Sequence, residues 1–127
     1  MKRIIFFVAV FMTVILSQGH AQSQLLDVKA FDTRMTSTKD KIVLDVRTSD
    51  EYNQGHLENA VMIDYYQPDF KQRLAKLDKA KPVFVYCAAG VRSEGAAQAL
   101  VDLGFKQVYD LHGGMNAWKK AKMPIVK

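Results

Sequence analysis

The amino-acid sequence predicts an α/β domain built on a central, mostly parallel, five-stranded sheet with helices on both faces. Short apolar segments rich in β-branched residues alternate along the chain with segments of helical periodicity, the pattern of a sheet covered by helices. The chain of 127 residues suits one domain with a single modest core. Its strand segments are short, so we expect about five strands, near the usual number.

In the first half of the chain, an apolar strand pattern and a helix-capping pattern stand out. Residues 42–46 are apolar and largely β-branched, as expected of a central strand. Thr48 and Glu51 hold the reciprocal positions of a capping box, which predicts a turn of helix ending near Gly55. The other predicted elements here are an edge strand at 25–28, a helix at 30–35 and a strand at 60–63.

The second half of the chain repeats the alternation. Phe70, Leu74 and Leu77 share one helical face, which predicts an amphipathic helix over 69–79. Ser93 is predicted as the N-cap of a helix that stops at Gly104. The other predicted elements are a buried strand at 82–86, a strand at 107–110 and a helix at 115–120 carrying Trp118.

The N-terminus has the layout of a secretory signal peptide. Lys2 and Arg3 precede an apolar run over 4–16, and small residues at Gly19 and Ala21 suit a signal peptidase. The run is shorter than the about 20 residues of a membrane-spanning helix, so an uncleaved anchor is the less favoured alternative. We therefore expect a signal peptide at 1–21 and an exported protein, periplasmic or secreted, without stable membrane association after cleavage.

Charge and composition restrict the partners. Without Lys2 and Arg3, 16 basic residues face 13 acidic ones, a net charge of +3. The lysines are scattered, and no basic stripe is interleaved with aromatic residues, so no nucleic-acid partner is expected. A mild positive field favours small anionic substrates. The three histidines lack ligand spacing, so neither a metal nor a cofactor is expected.

The single cysteine, Cys87, holds the most informative position in the chain. It follows the buried strand at 82–86 and precedes a helix, where open α/β sheets place their ligands. A helix N-terminus and its free N–H groups favour a thiolate. A lone cysteine cannot form an internal disulfide, so it is inert and buried, paired with another chain, or reactive. The loop context favours a reactive thiol.

Three segments of the sequence, in this order, form short signature motifs. The first is Leu-Asp-Val-Arg at 44–47 with Glu-Tyr at 51–52 and Gly-His-Leu-Glu-Asn-Ala at 55–60. The second is the loop at 87–93, of the pattern C-x-x-G-x-R-S, and the third is Leu-His-Gly-Gly-Met-Asn-Ala-Trp at 111–118. Together they resemble the signatures of the single-domain rhodanese family of thiosulfate sulfurtransferases, and the resemblance implies a rhodanese-like domain over 25–122.

The resemblance implies sulfur transfer through Cys87 as the catalytic residue. Its thiolate takes the outer sulfur of a donor such as thiosulfate, and the resulting persulfide passes that sulfur to cyanide or a thiol, with ping-pong kinetics. Main-chain N–H groups curled around the sulfur are expected to form a nest for negative charge. The expected substrate-binding residues are Ala88, Ala89, Gly90, Val91, Arg92 and Ser93.

Several nearby polar residues have structural interpretations as well. Asp45 and Arg47 are expected to support the loop, more by capping or ion pairing than by catalysis. Arg92 either contacts substrate or braces the loop through its fixed fork of donors. His56 is interpreted as a structural hydrogen bonder. His112 is left open between a structural role and a place near the pocket.

Two other functions compete with small-molecule sulfur transfer. Many relatives carry arginine directly after the cysteine, where this chain has Ala88, so a persulfide carrier that hands sulfur to a protein acceptor is an alternative. A phosphatase or arsenate reductase is disfavoured. Cys87 and Arg92 enclose four residues, whereas phosphatase-type loops enclose five.

Overall fold

A computed structural model describes residues 22–127, and the predicted signal peptide at 1–21 lies outside the described residues. Five strands form one sheet in the order β1-β5-β4-β2-β3, and every pairing is parallel. The predicted α/β architecture is confirmed. The elements are β1 (Ser23–Leu26), α1 (Val28–Ser37), β2 (Ile42–Asp45), α2 (Ser49–Asn53), β3 (Val61–Met62), α3 (Phe70–Leu74), β4 (Val83–Tyr86), α4 (Val91–Asp102), β5 (Val108–Leu111) and α5 (Gly114–Lys120).

The sheet separates two hydrophobic clusters. Because successive side chains of a strand point to opposite faces, β4 sends Val85 and Cys87 to one face and Phe84 and Tyr86 to the other. The first face packs against α3 and α4, and the second against α1 and α5, where Trp118 is buried. Helices therefore cover both faces, as predicted.

Within residues 22–127, no helix combines the length and the apolar character needed to cross a membrane.

Local hydrogen bonds move several predicted element boundaries. The edge strand spans Ser23–Leu26 rather than 25–28, and it ends at Leu26 because Asp27 leaves the sheet and accepts from the Ala30 N–H to cap α1. The predicted helix over 69–79 is regular only to Leu74. Beyond it the chain makes short-range turns, such as the bond from the Leu77 N–H to the Leu74 carbonyl. Leu77 still packs against the core, as its spacing indicates.

The prediction that Ser93 caps α4 is wrong. The helix begins at Val91, and its N-cap is Gly90, in the left-handed region at φ +108°. Glycine enters that region without the steric cost that other residues meet, so the chain turns into the helix earlier than its capping residues suggest. The Ser93 hydroxyl donates instead to the Gly90 carbonyl at 3.2 Å, within the turn that carries Cys87. The capping box of Thr48 and Glu51 is present as predicted.

A buried polar network joins the carboxyl ends of the two central strands. Arg47 pairs with Asp45, with 2.7 Å between Nη2 and Oδ2, and also donates to the Gly55 carbonyl at 2.7 Å. The Tyr86 hydroxyl donates to the same oxygen, Asp45 Oδ2, at 2.7 Å, and accepts from the Leu57 N–H. Burial raises the pKa of Tyr86 well above its usual range, so the hydroxyl remains a donor.

We expect this network to dominate the polar contribution to stability. Arg47→Met leaves the Asp45 carboxylate buried without its ion-pair partner, which should cost about 3–5 kcal/mol in the free energy of unfolding. Tyr86→Phe removes one donor and one acceptor and should cost about 1–3 kcal/mol. Urea denaturation of the purified variants measures both effects.

The matched control is Lys81→Met, which removes a second ion pair with Asp40 that lies at the surface. Exposed pairs contribute about 0–1 kcal/mol, so this variant should unfold close to the parent protein. An Arg47→Met protein as stable as Lys81→Met would contradict a structural role for the network.

Candidate active site

The Cys87 sulfur lies at the carboxyl end of the central strand β4, at the base of the loop that leads into α4. Only 1% of the residue is exposed. The Gly90 N–H points inward and donates to Sγ at 3.1 Å, and Ser93 Oγ lies 3.5 Å from the sulfur. The thiol donates to Ser93 Oγ, and the Ser93 hydroxyl hydrogen goes to the Gly90 carbonyl. It is therefore the Gly90 N–H that is positioned to stabilise negative charge on the sulfur.

The sequence predicted a ring of N–H groups from Ala88 to Ser93. In the structure, Gly90 is the residue whose N–H contacts the sulfur. Val91, Arg92 and Ser93 form the first turn of α4, whose N–H groups have no helical partner four residues earlier. The Ala88 and Ala89 side chains form the outer part of the loop, where Ala89 is exposed.

The N-terminus of α5 holds the other side of the loop. The Met115 N–H donates to the Cys87 carbonyl at 2.8 Å, and the Asn116 N–H donates to the Ala88 carbonyl at 2.9 Å. Gly114 makes this approach possible. It sits at φ +57°, and a Cβ there would collide with the Cys87 carbonyl and come within 2.8 Å of the Ala88 main chain. Gly114 therefore allows the start of α5 to lie against the loop.

Gly114→Ala should displace the loop and lower sulfur-transfer activity at least about ten-fold, because the new methyl group must push the Cys87 carbonyl away and misplace the sulfur. Steady-state kinetics with a sulfane donor measure the loss. Gly104→Ala is the matched control. It has a similar positive φ of +99°, but no atom lies within 4 Å of its added Cβ.

The control should lose about 1–2 kcal/mol of stability through backbone strain and retain full activity per folded molecule. Equal activity losses in the two variants would show that the close approach at Gly114 does not position the sulfur.

Arg92 forms a bidentate ion pair with Glu51 of α2. Its Nη1 and Nη2 lie 2.7 and 3.0 Å from the two carboxylate oxygens, and its guanidinium group lies 5.4 Å from the centre of the Tyr66 ring. The hydrogen bond from Arg92 lowers the pKa of Glu51 to about 2. This geometry agrees with the bracing interpretation of Arg92, because its donor fork links the start of α4 to α2.

The other polar residues that the sequence singled out lie around the loop. Asp45 and Arg47 form the buried ion pair one strand away, in agreement with the ion-pairing interpretation. His56 contacts the Tyr52 carbonyl through Nδ1 at 3.0 Å and stacks on the Tyr52 ring, as a structural residue does. His112 is exposed, and its backbone N–H extends the pairing with β1 by donating to the Leu26 carbonyl.

A cavity of about 570 Å³ adjoins the loop on the side of β1 and β5. Asp110 of β5 lines it and is 4% exposed. Burial raises the pKa of its carboxyl group to about 6, aided by the nearby negative charge of Glu94. The sequence analysis missed Asp110. The available signal was a charged residue inside the short apolar strand Val-Tyr-Asp-Leu at 108–111.

Within the part of the chain that the structure describes, no three His, Cys, Asp or Glu side chains are grouped as a metal site requires. The arrangement offers a nucleophilic sulfur, an inward N–H donor and an adjoining cavity, which together suit covalent chemistry at sulfur.

Curated proteins with similar sequences include thiosulfate sulfurtransferases. The chain is 40% identical over 85 residues to the thiosulfate sulfurtransferase GlpE of Coxiella burnetii, covering 67% of this chain and 78% of that protein. It is 42% identical over 84 residues to the tRNA uridine(34) hydroxylase of Cytophaga hutchinsonii, covering 64% of this chain but only 27% of that protein. The second match therefore concerns one part of a longer enzyme.

Solved structures and a family profile agree with these relatives. A rhodanese-related protein from Thermoplasma volcanium superimposes with a TM-score of 0.71 at 26% identity, over 81% of this chain and 97% of that one. The rhodanese-like domain of the Anabaena protein Alr3790 gives a TM-score of 0.70 at 29% identity, over 80% and 77% of the two chains. The Rhodanese-like domain profile matches residues 21–121. The chain belongs to the rhodanese-like domain family.

Proposed function

We propose that the protein transfers a sulfane sulfur from thiosulfate to cyanide or a low-molecular-weight thiol, through a persulfide on Cys87. The observation that carries the proposal is the inward Gly90 N–H at 3.1 Å from Sγ, at the end of the central strand and the start of α4. The 40% identity to relatives named thiosulfate sulfurtransferases supports the sulfurtransferase class and this donor.

In the first half-reaction, Cys87 acts as a thiolate. Its sulfur forms a bond with the outer sulfur of thiosulfate, the sulfur–sulfur bond of thiosulfate breaks, and sulfite leaves with the electron pair. The Gly90 N–H and the unpaired N–H groups of the first turn of α4 stabilise negative charge on the thiolate and the persulfide. No base is needed at the sulfur once the thiolate has formed.

In the second half-reaction, the acceptor attacks the terminal sulfur of the persulfide. A bond forms between the acceptor and that sulfur, the bond to Cys87 Sγ breaks, and the thiolate is regenerated. Sulfur moves without a net oxidant or reductant. The donor reacts and its product leaves before the acceptor reacts, which accounts for the expected ping-pong kinetics.

The burial of Cys87 bears on the choice of donor. Because only 1% of Cys87 is exposed, its sulfur favours reagents whose reactive atom is terminal and sterically unhindered. The terminal sulfur of thiosulfate is such an atom. Arg92 is bound to Glu51, so the site binds the anion chiefly through main-chain N–H groups rather than through a free guanidinium group.

Cys87→Ser should reduce thiocyanate formation from thiosulfate and cyanide to the uncatalysed rate, because a hydroxyl cannot hold the transferred sulfur. Intact-mass measurement after thiosulfate treatment should show one added sulfur on the parent protein and none on the variant. Asp102→Asn, an exposed change at the far end of α4, is the control that should retain both signals.

A parent protein that neither forms thiocyanate nor gains sulfur from thiosulfate or polysulfide would overturn the proposal. The alternative is a persulfide carrier, favoured by Ala88 at the position where many relatives have arginine. That role predicts full sulfur loading together with slow release to cyanide and fast release to a protein acceptor.

We also propose that the protein acts outside the cytoplasm. The proposal rests on the basic, apolar and small-residue pattern of residues 1–21. Expression of the full chain in a bacterial host should yield a periplasmic protein whose intact mass is that of residues 22–127, with Gln22 as its first residue. Ala21→Arg should block cleavage and leave the longer chain in the membrane fraction. A soluble cytoplasmic protein that retains residues 1–21 would contradict export.

A further inference from the structure

The cavity beside the loop contains an acidic group for which the sulfur-transfer steps above have no use. Asp110 is 4% exposed, and its Oδ1 is buried with no hydrogen-bond partner among the described residues. A buried carboxylate oxygen without a donor is costly, and such groups are rare in native proteins. An unpaired oxygen in a residue that lines a cavity indicates a ligand that supplies the missing donor.

The topology places this carboxyl group on the sulfur's side of the sheet. Asp110 is paired with Val85 of β4, and Cys87 is two residues further along the chain, directly after the end of β4. Because side chains alternate between faces, Asp110, Val85 and Cys87 all project toward α4. The cavity wall includes Gly90, whose N–H contacts Sγ. The acidic cavity therefore reaches the loop that holds the sulfur, along Ala89, Gly90 and Val91.

The charges around the cavity are mainly negative. Glu94 of α4 lines it and raises the pKa of Asp110, whereas His112 and the Ser93 hydroxyl act in the opposite direction. The rim toward the edge strand is apolar, with Leu25 and Val91 both strongly exposed. Such a lining disfavours an anion and suits a small molecule with an apolar stem and a cationic end.

We propose that this cavity binds the sulfur acceptor, and that the acceptor is a small thiol with an ammonium group, which donates to Asp110 Oδ1. The inference rests on the proposed transfer of sulfur through Cys87. It assigns different chemistry to the two substrates. The anionic donor uses the main-chain N–H groups of the loop, and the cationic acceptor uses the carboxylates of Asp110 and Glu94.

The transfer step is balanced. The sulfur of the acceptor thiol forms a bond with the terminal sulfur of the Cys87 persulfide anion, the thiol proton passes to that terminal sulfur, and the bond between the terminal sulfur and Sγ breaks. The electron pair returns to Cys87 as a thiolate, and the acceptor leaves with a neutral persulfide group. The ammonium group takes no part in the bond changes and serves to position the acceptor. A volume of about 570 Å³ is in the range of small-molecule sites.

The test compares acceptors that differ only at the end away from sulfur. The protein is first loaded with thiosulfate, and intact mass confirms the persulfide. Cysteamine, 2-mercaptoethanol and 3-mercaptopropionate, which are cationic, neutral and anionic, are then added at equal thiolate concentrations. The rate of persulfide loss should be at least about five-fold higher with cysteamine than with 2-mercaptoethanol, and lowest with 3-mercaptopropionate.

Asp110→Asn should bring the cysteamine rate close to the 2-mercaptoethanol rate while leaving sulfur loading unchanged. Glu94→Gln, at an exposed position that tolerates substitution, should reduce the preference in part. Asp102→Asn removes one charge from the same helix and should leave the preference intact. In the parent protein, the preference should weaken as pH falls below about 6, where the Asp110 carboxylate becomes protonated.

The outcomes separate the two proposals. A protein that loads sulfur normally but shows no preference for cysteamine would refute the acceptor site and leave sulfur transfer standing. The same conclusion follows if Asp110→Asn and Glu94→Gln keep the parent's preference. Failure of the parent protein to load sulfur from any sulfane donor would overturn both.

Discussion

The structure depends first on the buried ion pair of Asp45 and Arg47 and its hydrogen bond to Tyr86. Asp45 and Arg47 are neighbours at the end of β2, whereas Tyr86 comes from β4, and the buried charges are stable inside the protein only when each meets its partners. The pair binds the end of β2 to the end of β4, and Arg47 also holds the Gly55 carbonyl. Because Tyr86 precedes Cys87, the same contacts fix the position from which the loop departs.

From that point, the loop is held by contacts of different kinds. The first N–H groups of α5 bind the carbonyls of Cys87 and Ala88, and the ion pair of Arg92 with Glu51 anchors the opposite end. Gly90 turns inward toward the sulfur. A donor held in this way does not need to reorganise when charge develops, which is the condition for efficient electrostatic stabilisation. Residues from all three sequence signatures of the family therefore act together to hold the Cys87 loop in place.

Charge is distributed unevenly around the sulfur. The Gly90 N–H faces it, the guanidinium group of Arg92 is paired with Glu51, and the carboxylates of Asp110 and Glu94 line the cavity beside the loop. The proposed acceptor site would make the protein treat donor and acceptor differently, although both react at the same atom. Specificity then lies in the polar groups beyond the loop, since buried groups left without partners discriminate strongly between ligands.

The sequence alone determined the α/β class, the order of the elements and the reactive loop, because hydrophobic periodicity, a capping box and short signatures are local properties. It did not determine where α4 begins, since the conformation of Gly90 outweighed the capping preference of Ser93. Only the tertiary structure paired Arg92 with Glu51 and placed Asp110 on the sulfur's side of the sheet. Those contacts join distant parts of the chain, and their strength depends on burial and distance, which residue spacing does not contain.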